Sequence, residues 1–557
     1  MILMAIRTLS TETVRHGHRR SPMRGNVKAA LVFFVVVGAI LLGLRFAMPF
    51  YAEWKLRHAS DAKATKGTIT VAVDNWIGYF PLCSPEMKKA MRSSGWNFRC
   101  EDDEADYPKR MKRLKDKDIR FAVATVDSFI LNGAPVNFPG VIPMVIDQSK
   151  GGDSILARKD CVANLNALKG RVDIKVALTP NSPSHHFAKV AASHFGIPEL
   201  LPPKDRTGRL VETNGSKEAL KKLLSGEVCV AILWEPDVSR ALADKNIIKL
   251  LGTEDTERVI VDILLVDPDY ADKNSETVMI LLSHYFTVLK FYRDNNDLLV
   301  KEIISETKDA DGKKFTEEAV RAMLKGVEWA TLADNAQKWF GIAAPGGKAD
   351  EGLYATIDST VRILRNNKDF ARDPIPDGDP SRLTRSQFIR ELSAKAATGF
   401  IIPSKGEVAT GASLGAKFAP LNDSGWKALR EVGALKIEPI TFRSGTADLT
   451  IAGKTEIDQA VESLKHYPKF RILIKGHTGM VGDPAENKVL SQERADSIAR
   501  YIMATYGIDE HRLRPVGLGS SEPLARLPEE QCSETRCERA YNYRLPRVEI
   551  LLVAEVY

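Results

Sequence analysis

Residues 68–79 read TITVAVDNWIGY: a strand-forming run, Thr68–Val73, that stops at an acid and opens into an aromatic loop. The same grammar recurs at Phe121–Ala124 (FAVA), Val141–Ile146 (VIPMVI), Ile174–Leu178 (IKVAL), Val228–Leu233 (VCVAIL) and Val259–Val266 (VIVDILLV). Apolar runs of this length suit strands of a sheet covered on both faces. Between them, Ser184–Phe195 and Ser216–Leu224 carry helical spacing behind polar caps. The predicted fold class is therefore α/β, over a region too long for one small lobe. After Ser275 the pattern turns mostly helical, down to Phe388–Leu392.

Working outward, residues 398–423 (TGFIIPSKGEVATGASLGAKFAPLND) are rich in Gly, Ala, Ser and Pro without sustained periodicity, and read as a linker. Beyond it, strands are predicted at Leu435–Phe442, Phe470–Gly476 and Arg547–Val553, with helices at Glu456–His466 and Asn487–Tyr506. That order gives a small βαβαβ module over 435–557. At the other end, Ala29–Leu44 is free of charge and sits between Lys28 and Arg45. Extended to Phe50, with Arg45 snorkelling, it reaches about 33 Å of helix, enough to cross a bilayer. Arg7, Arg15, Arg19, Arg20, Arg24 and Lys28 precede it against a single acid, Glu12. Residues 1–28 are thus expected in the cytoplasm, 29–50 as a single-pass inner-membrane anchor, and the rest outside. A cleaved signal peptide is the competing reading, with the same topology for the bulk of the chain.

Composition excludes several classes. The 557 residues are 44% hydrophobic and 27% charged, as in folded chains. The 79 basic residues against 72 acidic ones are too balanced to imply nucleic acid. No CxxC pair suggests a zinc ribbon, and no metal or cofactor is expected. In an oxidising compartment, six cysteines permit three local bridges, Cys83 with Cys100, Cys161 with Cys229 and Cys532 with Cys537. Buried free thiols remain the alternative.

Open α/β sheets bind ligands beyond the carboxyl ends of their strands, where helix N-termini offer unpaired N–H groups. That rule selects Trp76 and Tyr79 after the first strand and Thr125 and Asp127 after the second, and the stretch Asp147–Asp153, with Ser149 and Gly151, is expected to line the cleft near a crossover between lobes. It also selects Ser182, Ser184 and His185 in a hydroxyl-rich turn, Ser216 at a helix start, and Trp234 and Glu235 after VCVAIL. Hydroxyl-rich helix starts point to a small anionic solute. No GxSxG, HExxH or nucleophile–base–orienter set is present, so catalysis is not expected.

The order WIGYFPL, AVATVDSF, MVIDQSKGGDSILARK, TPNSPSHHF and GSKEALKKLLSGEVCVAILWEPDVSRAL resembles periplasmic substrate-binding proteins of nitrate, sulfonate and taurine ABC transporters, over about 67–395. The resemblance implies two hinged lobes closing on a small molecule, one of 67–155 plus later helices and the other of 156–257. Residues 435–553 carry ITFRSGTADLT, FRILIKGHT, NKVLSQERADSIARYIMATYGI, HRLRPVGLGSSEP and RLPRVEI, and resemble the OmpA-like peptidoglycan-binding domain. That resemblance implies Arg494 as the fork for a stem-peptide carboxylate, with Asn487 and Arg547 also matching. The family carboxylate after GHT is replaced by Gly479, and Asp483 is the candidate substitute. Together these imply an envelope receptor whose partners are a solute, peptidoglycan, the inner membrane and an ABC permease or membrane sensor. The alternatives are a non-binding docking protein linking membrane and wall, and an enzyme resembling thiamine-pyrimidine synthases.

Overall fold

The computed structural model describes residues 65–204, 207–307, 312–342, 349–397, 416–526 and 535–555, together with Met48. The predicted anchor at 29–50 lies outside the described residues except for Met48, as does most of the linker at 398–423. Among the described residues no helix is long and apolar enough to cross a membrane.

In chain order the first strands are β1 (Gly67–Val73), β2 (Trp96–Asp102), β3 (Phe121–Thr125), β4 (Val141–Ser149), β5 (Asp153–Arg158), β6 (Val176–Leu178), β7 (Leu210–Glu212) and β8 (Val230–Trp234). There follow β9 (Ile247–Gly252), β10 (Val261–Val266), β11 (Val327–Trp329), β12 (Arg430–Ala434), β13 (Arg471–His477), β14 (Leu513–Gly519) and β15 (Arg547–Ala554). They form three sheets, ordered β11-β4-β10-β3-β1-β2, β7-β6-β8-β5-β9 and β12-β15-β13-β14. The first sheet is parallel around β1, while β10 runs antiparallel to both β3 and β4. Every residue of β3, β4 and β10 is buried, which accounts for their unbroken apolar character.

Chain order explains the two lobes. The chain leaves the first sheet at Ser149 and enters the second at Asp153, then leaves the second at Gly252 and returns at Val261. Lobe two is therefore inserted between β4 and β10, and two short crossing segments join the lobes. Helices after β10 fold back on the first sheet: Tyr285, Tyr292, Ile357, Leu364 and Phe388 share one core with β1, β3 and β4. Cys83–Cys100 and Cys161–Cys229 are disulfide-bonded, with Cα separations of 5.7 and 5.9 Å. Cys537 is also disulfide-bonded, and Cys532 lies outside the described residues.

The C-terminal module differs from the sequence expectation in two places. The predicted strand at Leu435–Phe442 is absent; the strand is β12, and 435–442 makes a single bridge, Phe442 to Leu449. The apolar side chains Leu435, Ile437 and Ile440 pack instead into a core continuous with lobe two, and the Lys436 N–H donates to the His194 carbonyl at 2.7 Å. A fourth strand, β14, pairs parallel to β13. Its sequence LRPVGLG looks like a loop, but the glycines are needed for packing. A Cβ on Gly517 would lie 2.4 Å from the Gln492 nitrogen, on the helix that covers the strand.

Candidate functional site

The carboxyl ends of the lobe-one strands converge on the crossing segments. One transverse row of the first sheet reads Trp329, Asp147, Asp262, Thr125, across β11, β4, β10 and β3. Residues opposed in antiparallel pairs share a face, so this register sets two carboxyls side by side. Asp147 and Asp262 are buried, and burial raises the pKa of both; their mutual proximity adds to the rise at Asp262. Trp76 donates through Nε1 to Asp147 at 3.2 Å, Tyr79 donates its hydroxyl to Asp262, and Trp329 donates to the Gly78 carbonyl at 2.7 Å. Gly78 is required there, since a Cβ would stand 2.3 Å from Asp147 Oδ2.

Asp74, at the end of β1, belongs to a different arrangement. Helix α1 (Tyr107–Lys115) presents Arg110, which donates to Asp74 at 3.2 Å, to Asp103 at 2.8 Å and to the Val123 carbonyl at 2.8 Å. Arg110 is fully buried and held by these partners, so it fixes the sheet edge. Burial raises the Asp74 pKa, against the lowering influence of Arg110.

Thr125 caps helix α2 (Val126–Gly133) in a reciprocal box with Ser128, their hydroxyls 2.7 Å apart. Asp127, in the first turn, is only 6% exposed, and its Oδ1 has no hydrogen-bond partner. Burial pushes its pKa up to about 7, and the charged groups of lobe two acting on it are Lys189 and Asp153.

Lobe two supplies the facing wall. Asp153 opens β5 in register with Trp234 of β8. It accepts from Ser149 at 3.0 Å and from the Ser184 hydroxyl, and burial brings its pKa to about 6. Thr253, in the second crossing, ties the first: its hydroxyl lies 2.9 Å from Ser149 Oγ and accepts from Gly151 N at 2.9 Å and Asp153 N at 3.1 Å. Ser182 caps helix α3 (Pro183–Phe195) through the His185 N–H, while His185 Nδ1 accepts from Asn181 N at 3.2 Å. Ser216, at the start of helix α4 (Ser216–Leu224), bonds the Trp234 backbone, and Glu235 accepts from Ser239. The selected hydroxyls are thus engaged within the protein. Trp76 brings the lobes together: a Cβ on Gly152 would lie 2.4 Å from its ring. The residues missed from sequence are Thr253 and Asp262. A lone acid inside the apolar run VIVDILLV was the available signal for Asp262.

A second candidate lies in the C-terminal module. Helices α5 (Ile451–Leu464) and α6 (Pro484–Tyr506) cover its sheet. Arg494 of α6 lies 5.1 Å over the Phe442 ring and donates to the Thr446 carbonyl at 3.1 Å. Beside Thr446 is a groove of about 420 Å³ lined by Arg443, Asp448, Lys454, Ser497 and Tyr501. Asp483 caps α6, accepting from Ala485 and Glu486 N–H groups, and Asn487 donates to the Val481 carbonyl at 3.1 Å. Arg547 donates to Glu549 at 2.7 Å and to the Glu522 carbonyl at 3.1 Å. The space beside Gly479 is open, with Pro546 Cγ 3.9 Å from an added Cβ.

Residues 441–535 match the OmpA family. The protein named "Probable lipoprotein YiaD" of Escherichia coli (strain K12) is 40% identical over 86 residues, 15% of this chain and 39% of that protein. Peptidoglycan-binding protein ArfA of Mycobacterium tuberculosis is 32% identical over 113 residues, 20% of this chain and 34% of that protein. This chain therefore spans well under half the length of either relative. Among solved structures, the periplasmic aliphatic sulphonate binding protein SsuA of Escherichia coli is similar with a TM-score of 0.41 and 15% identity, over 55% of this chain and 89% of that one. The C-terminal module is an OmpA-type domain following a two-lobed α/β body.

Proposed function

We propose that this chain is a non-catalytic envelope receptor that takes a small solute between its lobes and holds to peptidoglycan through its OmpA-type module. The observation that carries the reading is the insertion of lobe two between β4 and β10, which leaves two short crossings beneath facing polar walls. Such a plan permits hinge closure around a ligand. Residues 29–50 would tether the protein to the inner membrane, and an ABC permease or a membrane sensor would read the occupied state. The charge of the solute is a separate question, because the walls are acidic.

Arg494 and the neighbouring groove support wall binding. Its planar fork suits a carboxylate, although the Thr446 contact must be exchanged for the ligand. Retention on purified sacculi tests this: Arg494→Ala should release the protein, and equal retention would remove the assigned site. Gly479→Asp places a carboxylate where the fold leaves space, and should increase retention without lowering the melting temperature.

A docking role is favoured by one observation. The C-terminal module braces a crossing segment: the Glu257 N–H donates to the His466 carbonyl at 2.8 Å. Mass spectrometry of natively purified protein separates the readings. A co-purifying small molecule supports the receptor, and none, together with no ligand-induced stabilisation, supports docking alone.

A further inference from the structure

The interlobe wall holds more acid than its own cations neutralise. Asp127, Asp147, Asp153 and Asp262 are each no more than 6% exposed. Among the described residues, none of the four has an ion pair with a lysine or arginine. The cations nearby are engaged elsewhere. Lys189 is held by both Asp369 oxygens, at 2.8 and 2.9 Å. Lys150 is bound to Glu257 at 2.5 Å, and Arg110 to Asp103 and Asp74. Asp127 Oδ1 accepts no hydrogen bond, and Asp147 Oδ2 has no donor other than a protonated Asp262 carboxyl, whose pKa burial raises.

Buried polar atoms are nearly always paired, and a buried carboxylate without a counter-charge is costly. These oxygens lie beside the crossings, with Asp127 acted on by the lobe-two groups Lys189 and Asp153. Two tryptophans adjoin the same place. Trp76 packs on Gly152, and Trp234 pairs with Asp153 across β5 and β8. Both rings are partly exposed, so they can offer aromatic faces to a cation. Among the described residues there is no group of three or more His, Cys, Asp or Glu arranged to hold a metal ion.

Resting on the receptor reading above, we infer that the solute taken between the lobes is a small organic cation bearing ammonium or guanidinium groups, held by Asp127 and Asp147 with Trp76 and Trp234 alongside. Its N–H groups supply donors to these two oxygens. An anion would meet a row of acids and no available cation, against the hydroxyl-based expectation.

The test is thermal shift and calorimetry on the full chain, with probes that separate charge. Putrescine, spermidine and methylguanidinium carry no anionic group, whereas nitrate, sulfate and methanesulfonate carry no ammonium. Stabilisation by at least one organic cation and by none of the anions is expected. Asp127→Asn and Asp147→Asn should each weaken that cation about 30-fold or more, whereas Asp269→Asn, exposed on lobe one, should leave the affinity unchanged. Stabilisation by anions alone, or equal stabilisation by magnesium, would overturn the cation while leaving the receptor intact. Full affinity in both folded cleft variants would overturn the assigned residues. Failure of every probe, with no co-purifying molecule, would overturn the receptor reading itself.

Discussion

The interlobe wall and the seam between lobe two and the C-terminal module both bury ionisable groups, yet they treat them differently. At the seam, His466 places Nδ1 2.9 Å from the Glu257 carbonyl and Nε2 2.9 Å from Ser359 Oγ. His194 Nδ1 lies 2.9 Å from the Tyr467 hydroxyl, and the two imidazoles stack at 5.2 Å. Burial lowers the pKa of both histidines, so they sit there neutral. Burial also pushes Glu257 up, but Lys150 and Lys338 outweigh it and bring it to about 2. Each of these groups has a partner within the protein. At the interlobe wall, by contrast, Asp127 Oδ1 has none, and Asp147 Oδ2 has none but the Asp262 carboxyl. These three seam groups are paired within the fold, whereas unpaired polar atoms occur at the interlobe wall and also elsewhere, as at Trp96 Nε1 and Arg512 Nη1.

The largest test of this contrast is Tyr467→Ala. Tyr467 is fully buried against His194, Phe195 and Phe470, and its loss should cost about 3–5 kcal/mol in denaturant unfolding. Cation affinity between the lobes should stay within about threefold, as sites without shared partners act independently. Asp262→Asn should do the reverse. It removes one of two adjacent buried carboxyls and should stabilise the ligand-free protein by about 2 kcal/mol at pH 8, measured by urea unfolding.

Smaller still is the pH profile, where the two regions have opposite signs. Asp127 and Asp153 titrate near about 7 and about 6, above the ordinary 3.8. The stability they contribute is present below 3.8 and is lost as pH rises through 6 to 7. His194 and His466 lie below the ordinary 6.5, so theirs is present above 6.5 and lost as pH falls toward the folded value. Melting temperatures across pH should show Asp127→Asn flattening the alkaline limb and His466→Gln flattening the acid one. Matching profiles for the two variants would abolish the distinction.

The central strands were legible because both their faces are buried, so residue type alone reports them. Edge and polar-ended strands were not: β5 begins with Asp153 and Ser154, and β14 contains Pro515 and two glycines. The strand-end rule selected Asp127, Trp76 and Trp234, which the fold places beside the crossings. The hydroxyls that suggested an anion are used by the fold, Thr125 and Ser182 as helix caps and Ser184 as a donor to Asp153. The pairing of Asp147 with Asp262 depends on strand register across distant parts of the chain, which local sequence does not contain.

The bond between the His466 carbonyl and the Glu257 N–H has a mechanical consequence. Glu257 sits on one of the two cords that string the lobes together, between β9 and β10. Tension drawn from the murein net through the seam would arrive at the pivot before it reached either jaw. In the proposed receptor the tether and the hinge would share a fastening, leaving the mouth free to move.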